Sequence, residues 1–424
     1  MNKLKLVLLI GLIALSVGMA GCGGGSSDPV VVDPPVVDPP VVDPPVVVQE
    51  TCTNCHGVGQ IVPIAEQHAA EIRTIDATIT DVSVGTPATG NVTVAFTVAG
   101  GTPDLTSFAF ALAKLVPGAG GDASHWESFT ARARTKDASV APIIQGYSEA
   151  VSSGTLTDLG AGNYSYTFGL PNAIIDGDIT SNLDTVLNVS SVGGAFDKTS
   201  VAEYLNPLTY DATATYRVGM EFKDDTGARN LSNAFFDFSP AGTLGSRNIV
   251  TIDACNKCHG GERLHKGYTT QYCVTCHNTS TFNPATPFVN SVGDTVSGNN
   301  ATVALKVIVH KWHMGVNLTD RDYRVNAHNP TETKFPQSVN NCTVCHNDDN
   351  APAPLAQVDN WKTVPTILAC GACHDAVDFT TGTNHLGGPQ ANNAMCAACH
   401  GSSGTPGSTT DIVTVHALAE RTLA

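Results

Sequence analysis

Six copies of the pattern Cys-x-x-Cys-His constrain this chain more than any other feature. They lie at Cys52–His56, Cys255–His259, Cys273–His277, Cys342–His346, Cys370–His374 and Cys396–His400, and they use twelve of the thirteen cysteines. In such a pattern two thiols form thioethers to the vinyl groups of one porphyrin, and the adjacent histidine is held under the iron. The attachment pairs are therefore Cys52 and Cys55, Cys255 and Cys258, Cys273 and Cys276, Cys342 and Cys345, Cys370 and Cys373, and Cys396 and Cys399, with His56, His259, His277, His346, His374 and His400 as proximal ligands. Six covalently attached haem c groups are expected. Structural zinc has no need of a histidine directly after the second cysteine, and a redox dithiol occurs once rather than six times.

Each proximal histidine leaves one axial position on its iron, to be filled by His or Met or left open for chemistry. Eight further histidines are available: His68, His125, His265, His310, His313, His328, His385 and His416. Met314 and Met395 sit beside His313 and Cys396, poorly placed as ligands, so bis-histidine iron is expected throughout. The two ends of the chain read as copies of one unit. A motif is followed by Gln67-His68-Ala-Ala-Glu-Ile-Arg-Thr in one and by Val415-His416-Ala-Leu-Ala-Glu-Arg-Thr in the other, which assigns His68 to the His56 haem and His416 to the His400 haem. His265, His310, His313 and His385 then serve the four haems between. His310 and His313 share one helix face, so they cannot bracket one iron and are expected to reach two different haems. A zinc site on this pair would need a third ligand that the neighbouring sequence does not supply. His125 and His328 remain as surface or loop histidines, with His328 the alternative should one of the six be displaced.

Taken in order, Met1–Gly21 has two lysines, an apolar run and small residues, the pattern of a secretory signal rather than a membrane span. Met19-Ala20-Gly21-Cys22 resembles a bacterial lipobox, so Cys22 is expected to be lipidated; Gly23 after it, rather than aspartate, favours the outer membrane. Residues 22–50 repeat Asp-Pro-Pro-Val-Val, an extended tether that at about 3.1 Å per residue reaches on the order of 60 Å. Residues 51–74 carry the first motif. Residues 75–248 hold short β-branched and aromatic runs (Ile75–Val84, Val92–Ala99, Phe108–Leu115, Tyr164–Phe168, Thr213–Phe222) separated by turn residues, which predict an antiparallel β-barrel or sandwich acting as scaffold or docking module. Residues 249–424 pack five motifs into 146 residues between Cys255 and His400, about 29 for each haem. Such a segment is too small for a conventional core, so irregular loops and short helices wrapped on porphyrins are expected. The net charge of −16 and the absence of a basic stripe argue against a nucleic-acid partner. An acidic surface is either simply solvated or attracts cationic metal species and basic partners.

Specific runs carry a family resemblance: Arg247-Asn-Ile-Val, Cys255-x-x-Cys-His-Gly-Gly-x-x-x-x-His265, Tyr272-Cys-Val-Thr-Cys-His277-Asn, Val309-His310-Lys-Trp-His313-Met-Gly, and Phe335-Pro336 ahead of Cys342. Together they resemble one pentahaem half of the OmcA/MtrC family of outer-membrane multihaem cytochromes. Ala113-Lys-Leu-Val-Pro117, Trp126, Asn163-Tyr-Ser-Tyr-Thr-Phe168 and Tyr216-Arg-Val-Gly resemble that family's β domain. The chain departs from the family's plan in having one β domain, five haem motifs after it and a single one in front.

The resemblance implies an electron carrier, lipid-anchored on the outer face of the outer membrane. It would pass electrons to metal oxides, chelated metals, flavins, electrodes or another cytochrome, and would work with other multihaem cytochromes or a porin–cytochrome conduit. No acid–base or nucleophile constellation accompanies the haem motifs, so an enzyme is not expected beyond nonspecific metal reduction. Two alternatives stay open: a subunit of a homo-oligomeric cytochrome filament, and a multihaem reductase of a small oxyanion with one open haem site.

Overall fold

The computed structural model describes residues 75–85, 92–134, 143–169, 210–223, 231–259, 268–279, 281–283, 288–289, 295–296, 301–321, 323–325, 328–349, 351, 353–401 and 411–417. All of them belong to one unit, Thr51–Thr422. The leader, Cys22, the tether, the first haem segment with Cys52, Cys55, His56 and His68, and also His265, lie outside the described residues. No helix among the described residues is long and apolar enough to cross a membrane.

The β region is antiparallel. Its strands are β1 (Asp76–Val84), β2 (Val92–Ala99), β3 (Ala109–Val116), β4 (His125–Ser128), β5 (Ala131–Arg134), β6 (Ile143–Gly146), β7 (Glu149–Ala150), β8 (Thr155–Gly160), β9 (Asn163–Thr167), β10 (Tyr216–Lys223) and β11 (Leu231–Phe238). One sheet has the order β1-β2-β9-β8, a second the order β11-β10-β3-β4 with β7 also on β3, and β5 pairs with β6 as a separate ribbon. β2 shows why the first sheet forms: Val92, Val94, Phe96 and Val98 are buried in alternation, as period-2 side chains of a sheet with one wet face must be. Tyr164 and Tyr166 of β9 continue that inner face, and Phe96 stacks on Tyr164 at 5.4 Å between centroids.

The second sheet is different, because both of its faces are covered. β3 is buried at every position from Phe110 to Leu115, and β10 from Tyr216 to Met220. Such continuous burial belongs to a strand with packing on each side. Inward, Tyr216, Val218, Met220 and Phe222 join Phe108, Phe110 and Leu112 in the main core, where Phe110 stacks on Tyr166 at 3.9 Å and Phe108 on Phe222 at 4.7 Å. Outward, Ala113, Leu115 and Trp126 form a second cluster with Val274, which lies inside a haem motif.

The remainder consists of short helices and loops: α1 (Ile252–His259), α2 (Thr270–Cys273), α3 (Leu305–Met314), α4 (Asn360–Thr363), α5 (Ile367–Cys373), α6 (Cys396–His400) and α7 (Ile412–Val415). Two ribbons of two-residue strands, β12 (Phe282–Asn283) with β15 (Ala301–Thr302) and β13 (Phe288–Val289) with β14 (Thr295–Val296), lead into α3. The apolar cluster of this region among the described residues is Ala304, Val307 and Ala372, where α3 meets α5. That is far too little side chain to hold the segment, in keeping with the expectation that porphyrins supply its core.

Candidate functional site

Each motif is shaped by a single turn. The backbone N–H of His277 donates to the carbonyl of Cys273 (2.8 Å), His346 to Cys342 (2.9 Å) and His374 to Cys370 (2.8 Å). A turn closed in this way brings residues i, i+3 and i+4 onto one face, so both thiols and the imidazole address the same porphyrin. A polar residue stands four positions ahead of the first cysteine in each of the five motifs. Thr251, Thr269 and Thr366 accept from the backbone N–H of Ala254, Tyr272 and Ala369 at 3.2 Å each, while Ser338 and Asn392 accept from Asn340 and Ala394. The three threonines cap the turns that carry their motifs, while Ser338 and Asn392 close a reversal just ahead of theirs. The signal is present in the sequence as Ser, Thr or Asn at that offset, and our reading of the sequence missed it.

The histidines then meet in pairs. Ring centroids are 6.0 Å apart for His259 and His313, 6.3 Å for His310 and His346, 5.9 Å for His374 and His416, and 6.3 Å for His385 and His400. Two imidazoles on opposite sides of one metal, each bonded at about 2 Å with the ring centre roughly 1 Å further out, stand about 6 Å apart. The residues present therefore fit iron ligated from both sides. Four Nδ1 atoms are engaged elsewhere: His313 with the Val309 carbonyl (2.8 Å), His385 with that of Gly388 (2.7 Å), His416 with that of Ile412 (2.9 Å) and His277 with that of Val303 (2.8 Å), whereas those of His310 and His346 are buried without a partner among the described residues. A ring that donates from Nδ1 is neutral at Nε2 and available to a metal, with its orientation set by the carbonyl. Burial also holds His310 and His346 in the neutral form, pushing His346 down to about 4 with help from its partner ring.

One expected partnership changes. His416 stands opposite His374 and not His400, and His385 takes the place opposite His400. The cause is tertiary. α7, which His416 caps, lies against α4, just ahead of the helix that carries Cys370 and Cys373. His385 is delivered by a tight reversal in which Gly382 and Asn384 adopt positive φ and Asp378 pairs with Thr383. His310 and His313 do reach two different proximal histidines. His125 pairs with Glu127 at 3.1 Å, and His328 is exposed.

No disulfide joins the ten described cysteines. Burial raises the thiol pKa of Cys273 to about 12 and of Cys255 and Cys373 to about 11, and neighbouring motifs add to the effect. Cys273 feels Cys255, Cys255 feels Cys345, Cys373 feels Cys342, and Cys370 feels Cys396. The five motifs thus adjoin in the order 273, 255, 342, 370, 396. A thioether carries no charge, so attachment to porphyrin removes the penalty that burial places on a thiolate.

The β sheet takes part in building one site. The outward residues of β10 follow at period 2: Arg217 donates to the Gln271 carbonyl at 3.1 Å, Gly219 lies flat under the Tyr272 ring, and Glu221 accepts from Tyr268. A Cβ on Gly219 would come within 2.8 Å of the Tyr272 ring, so this close approach requires glycine. Ser128 of β4 donates to the Thr275 carbonyl (2.5 Å) and accepts from Asn278 (2.6 Å), and Glu127 accepts from Thr279 (2.9 Å). Between sheet and motif opens a cleft of about 480 Å³ lined by Tyr147, Ser148, Glu221, Tyr268, Tyr272, Cys273, Cys276 and His277, among others. The contribution of Tyr147, Ser148 and Glu221 to a haem site was not visible in the sequence, where the β region reads as a separate scaffold.

Residues 247–417 match the family described as outer membrane cytochrome MtrC/MtrF-like, domains II/IV. Among solved structures, the outer membrane decahaem cytochrome OmcA aligns with a TM-score of 0.55 and 22% identity over 82% of this chain and 49% of that one. MtrC from Shewanella baltica OS185 aligns with a TM-score of 0.47 and 25% identity over 77% of this chain and 43% of that one. The chain thus spans less than half the length of either cytochrome. No curated protein matches. The matched segment contains the five described motifs and their paired histidines, so residues 247–417 form an MtrC/MtrF-like multihaem c-type cytochrome domain.

Proposed function

We propose that the chain is an outer-surface hexahaem cytochrome that carries electrons along a row of bis-histidine haems to extracellular acceptors. The observation that carries this reading is the set of four facing histidine pairs at 5.9–6.3 Å. Iron closed on both sides exchanges electrons without binding substrate. The adjacency of the motifs supports a haem order His277, His259, His346, His374, His400. His265 is the partner that remains for His277, and His68 the one for His56. Cys22 carries the lipid anchor, and the acceptors are of the kinds that the family resemblance implies, from metal oxides and chelated metals to flavins or another cytochrome.

Electron paramagnetic resonance of the oxidised protein, with CO added to the reduced form, tests this. Low-spin iron throughout and no stoichiometric CO binding are expected; rapid binding of one CO would replace the carrier by a reductase with an open haem. Protease added to intact cells should release the haem protein, and complete protection would move it to the periplasm.

A further inference from the structure

Among the described residues, two buried donors of one region have no hydrogen-bond acceptor. Ser246–Asn248 is clamped by Gln357, whose side chain donates to the Ser246 carbonyl (3.0 Å) and accepts from the Asn248 N–H (2.8 Å). Arg247, held between them, has a buried Nη1 without a hydrogen-bond partner. Trp361 lies four residues beyond Gln357; its Nε1 is likewise buried and unpartnered, and its ring is 6.3 Å from that of His346. Lys306 is close enough to Arg247 for the two cations to repel, and burial disfavours the charge on both. Lys306 stands four residues before His310 on α3, on the same helix face, and His310 is the ring opposite His346. Trp361 and Lys306 thus approach the two histidines of one pair, and Arg247 lies beside Lys306.

The charges do not cancel. Among the described residues, Asp122 is the acidic group that faces both Arg247 and Lys306, which leaves one positive charge over among them. One Asp122 oxygen is already occupied by Asn393 Nδ2 at 2.6 Å. Lys362, beside Trp361, is neutralised by Asp359 at 2.6 Å and adds nothing. Unpartnered donors and a surplus cation are costly to bury unless an anion rich in acceptors joins them. A carboxylate has about four acceptor positions and no donor, and a porphyrin of the haem c type carries two such groups.

We propose that Arg247, Lys306 and Trp361 form the cradle for a propionate of the haem held between His346 and His310, and that by neutralising this propionate the two cations make the haem easier to reduce. The proposal rests on the His310–His346 pairing. Reduction removes one positive charge from the iron, so a nearby cation stabilises the ferrous form. Arg247, Lys306 and Trp361 are positioning residues, since they act on the iron through the propionate.

The test uses the purified, haem-loaded full chain. His310→Met first marks the haem, because it should alter one low-spin resonance signal; if it alters none, the pairing fails and the cradle with it. Redox titration of that marked signal in Arg247→Gln and Lys306→Gln should show its ferric to ferrous ratio raised about tenfold at fixed potential, a midpoint about 59 mV lower for one electron. Lys306→Arg should restore the midpoint. Redox-difference infrared spectra should show propionate carboxylate bands shifted in Arg247→Gln and in Trp361→Phe. Unchanged midpoints and carboxylate bands in fully haem-loaded variants would overturn the proposal, even if thermal stability fell. Should Arg247→Gln fail to mature, Lys306→Gln and Trp361→Phe decide alone.

Discussion

His310 and His313 lie three residues apart on α3, yet they face different proximal histidines, His346 at 6.3 Å and His259 at 6.0 Å. One short helix thereby fixes the separation of two adjacent haem positions. α3 is seated by Ala304 and Val307 against Ala372 of α5, which ties the spacing to a third motif.

Two substitutions test this helix. His310→Met and His313→Met should each convert a different haem to His/Met ligation and raise its midpoint by on the order of 0.1 V, within the ≈ 0.8 V range that axial ligands command. Potentiometric titration with resonance detection separates them. If both variants alter the same signal, the two-haem geometry is wrong.

The exchange of partners near the C-terminus is tested by removing one haem. With Cys396 and Cys399 replaced by alanine, His416→Ala should still create a new high-spin iron, because His416 serves His374. His385→Ala in the same background should create none, since its partner position is already gone. The opposite pattern would restore the assignment of His416 to His400.

Arg217 fastens the β sheet to the Cys273 motif. It is 1% exposed, forms a two-pronged bond with Asp237 (2.6 and 2.7 Å), lies 4.2 Å over the Trp126 ring and donates to Gln271. Breaking a fully buried ion pair costs about 3–5 kcal/mol. Because Asp237 is partly exposed and regains water, Arg217→Met should cost somewhat less, about 2–4 kcal/mol. A lowered denaturant midpoint of the far-ultraviolet circular dichroism of the haem-loaded protein checks this; a midpoint within error of the native chain counts against the fastening role.

Glu221 supplies a pH dependence. Burial raises its carboxyl pKa, with the bond from Tyr272 and the charge of Lys223 opposing. A carboxyl whose folded pKa lies above its unfolded value contributes stability that is fully present below the unfolded pKa, about 4.3, and lost as pH rises through the folded value. Glu221→Gln keeps the acceptor oxygen and cannot ionise. Relative to the native chain it should gain stability as pH rises from 4 to 7, and a difference that is flat or shrinking over that interval would refute the assignment.

Much of this molecule is legible one residue at a time. The turns of the described Cys-x-x-Cys-His motifs follow from a fixed local spacing. The strands at Asp76–Val84, Val92–Ala99, Ala109–Val116, Asn163–Thr167 and Tyr216–Lys223 coincide closely with β-branched and aromatic runs between turn residues. The divergence of His310 and His313 follows from helical geometry alone. What was less legible is β4 and β11, whose sequences HWES and LSNAFFDF show weaker patterning and depend on partners in β3 and β10.

By itself the sequence determined the cofactor, the β class of the preceding region and the local turn that binds each porphyrin, because these rest on contacts within a few residues. Tertiary structure alone decided which distant histidine ring faces which motif histidine and which sheet face carries a motif. It also decided where Arg247 and Trp361 bring their unpartnered donors. Those outcomes depend on the docking of segments that approach from far along the chain. His416 illustrates the difference: sixteen residues separate it from His400, but the packing of α7 beside α4 delivers it to His374.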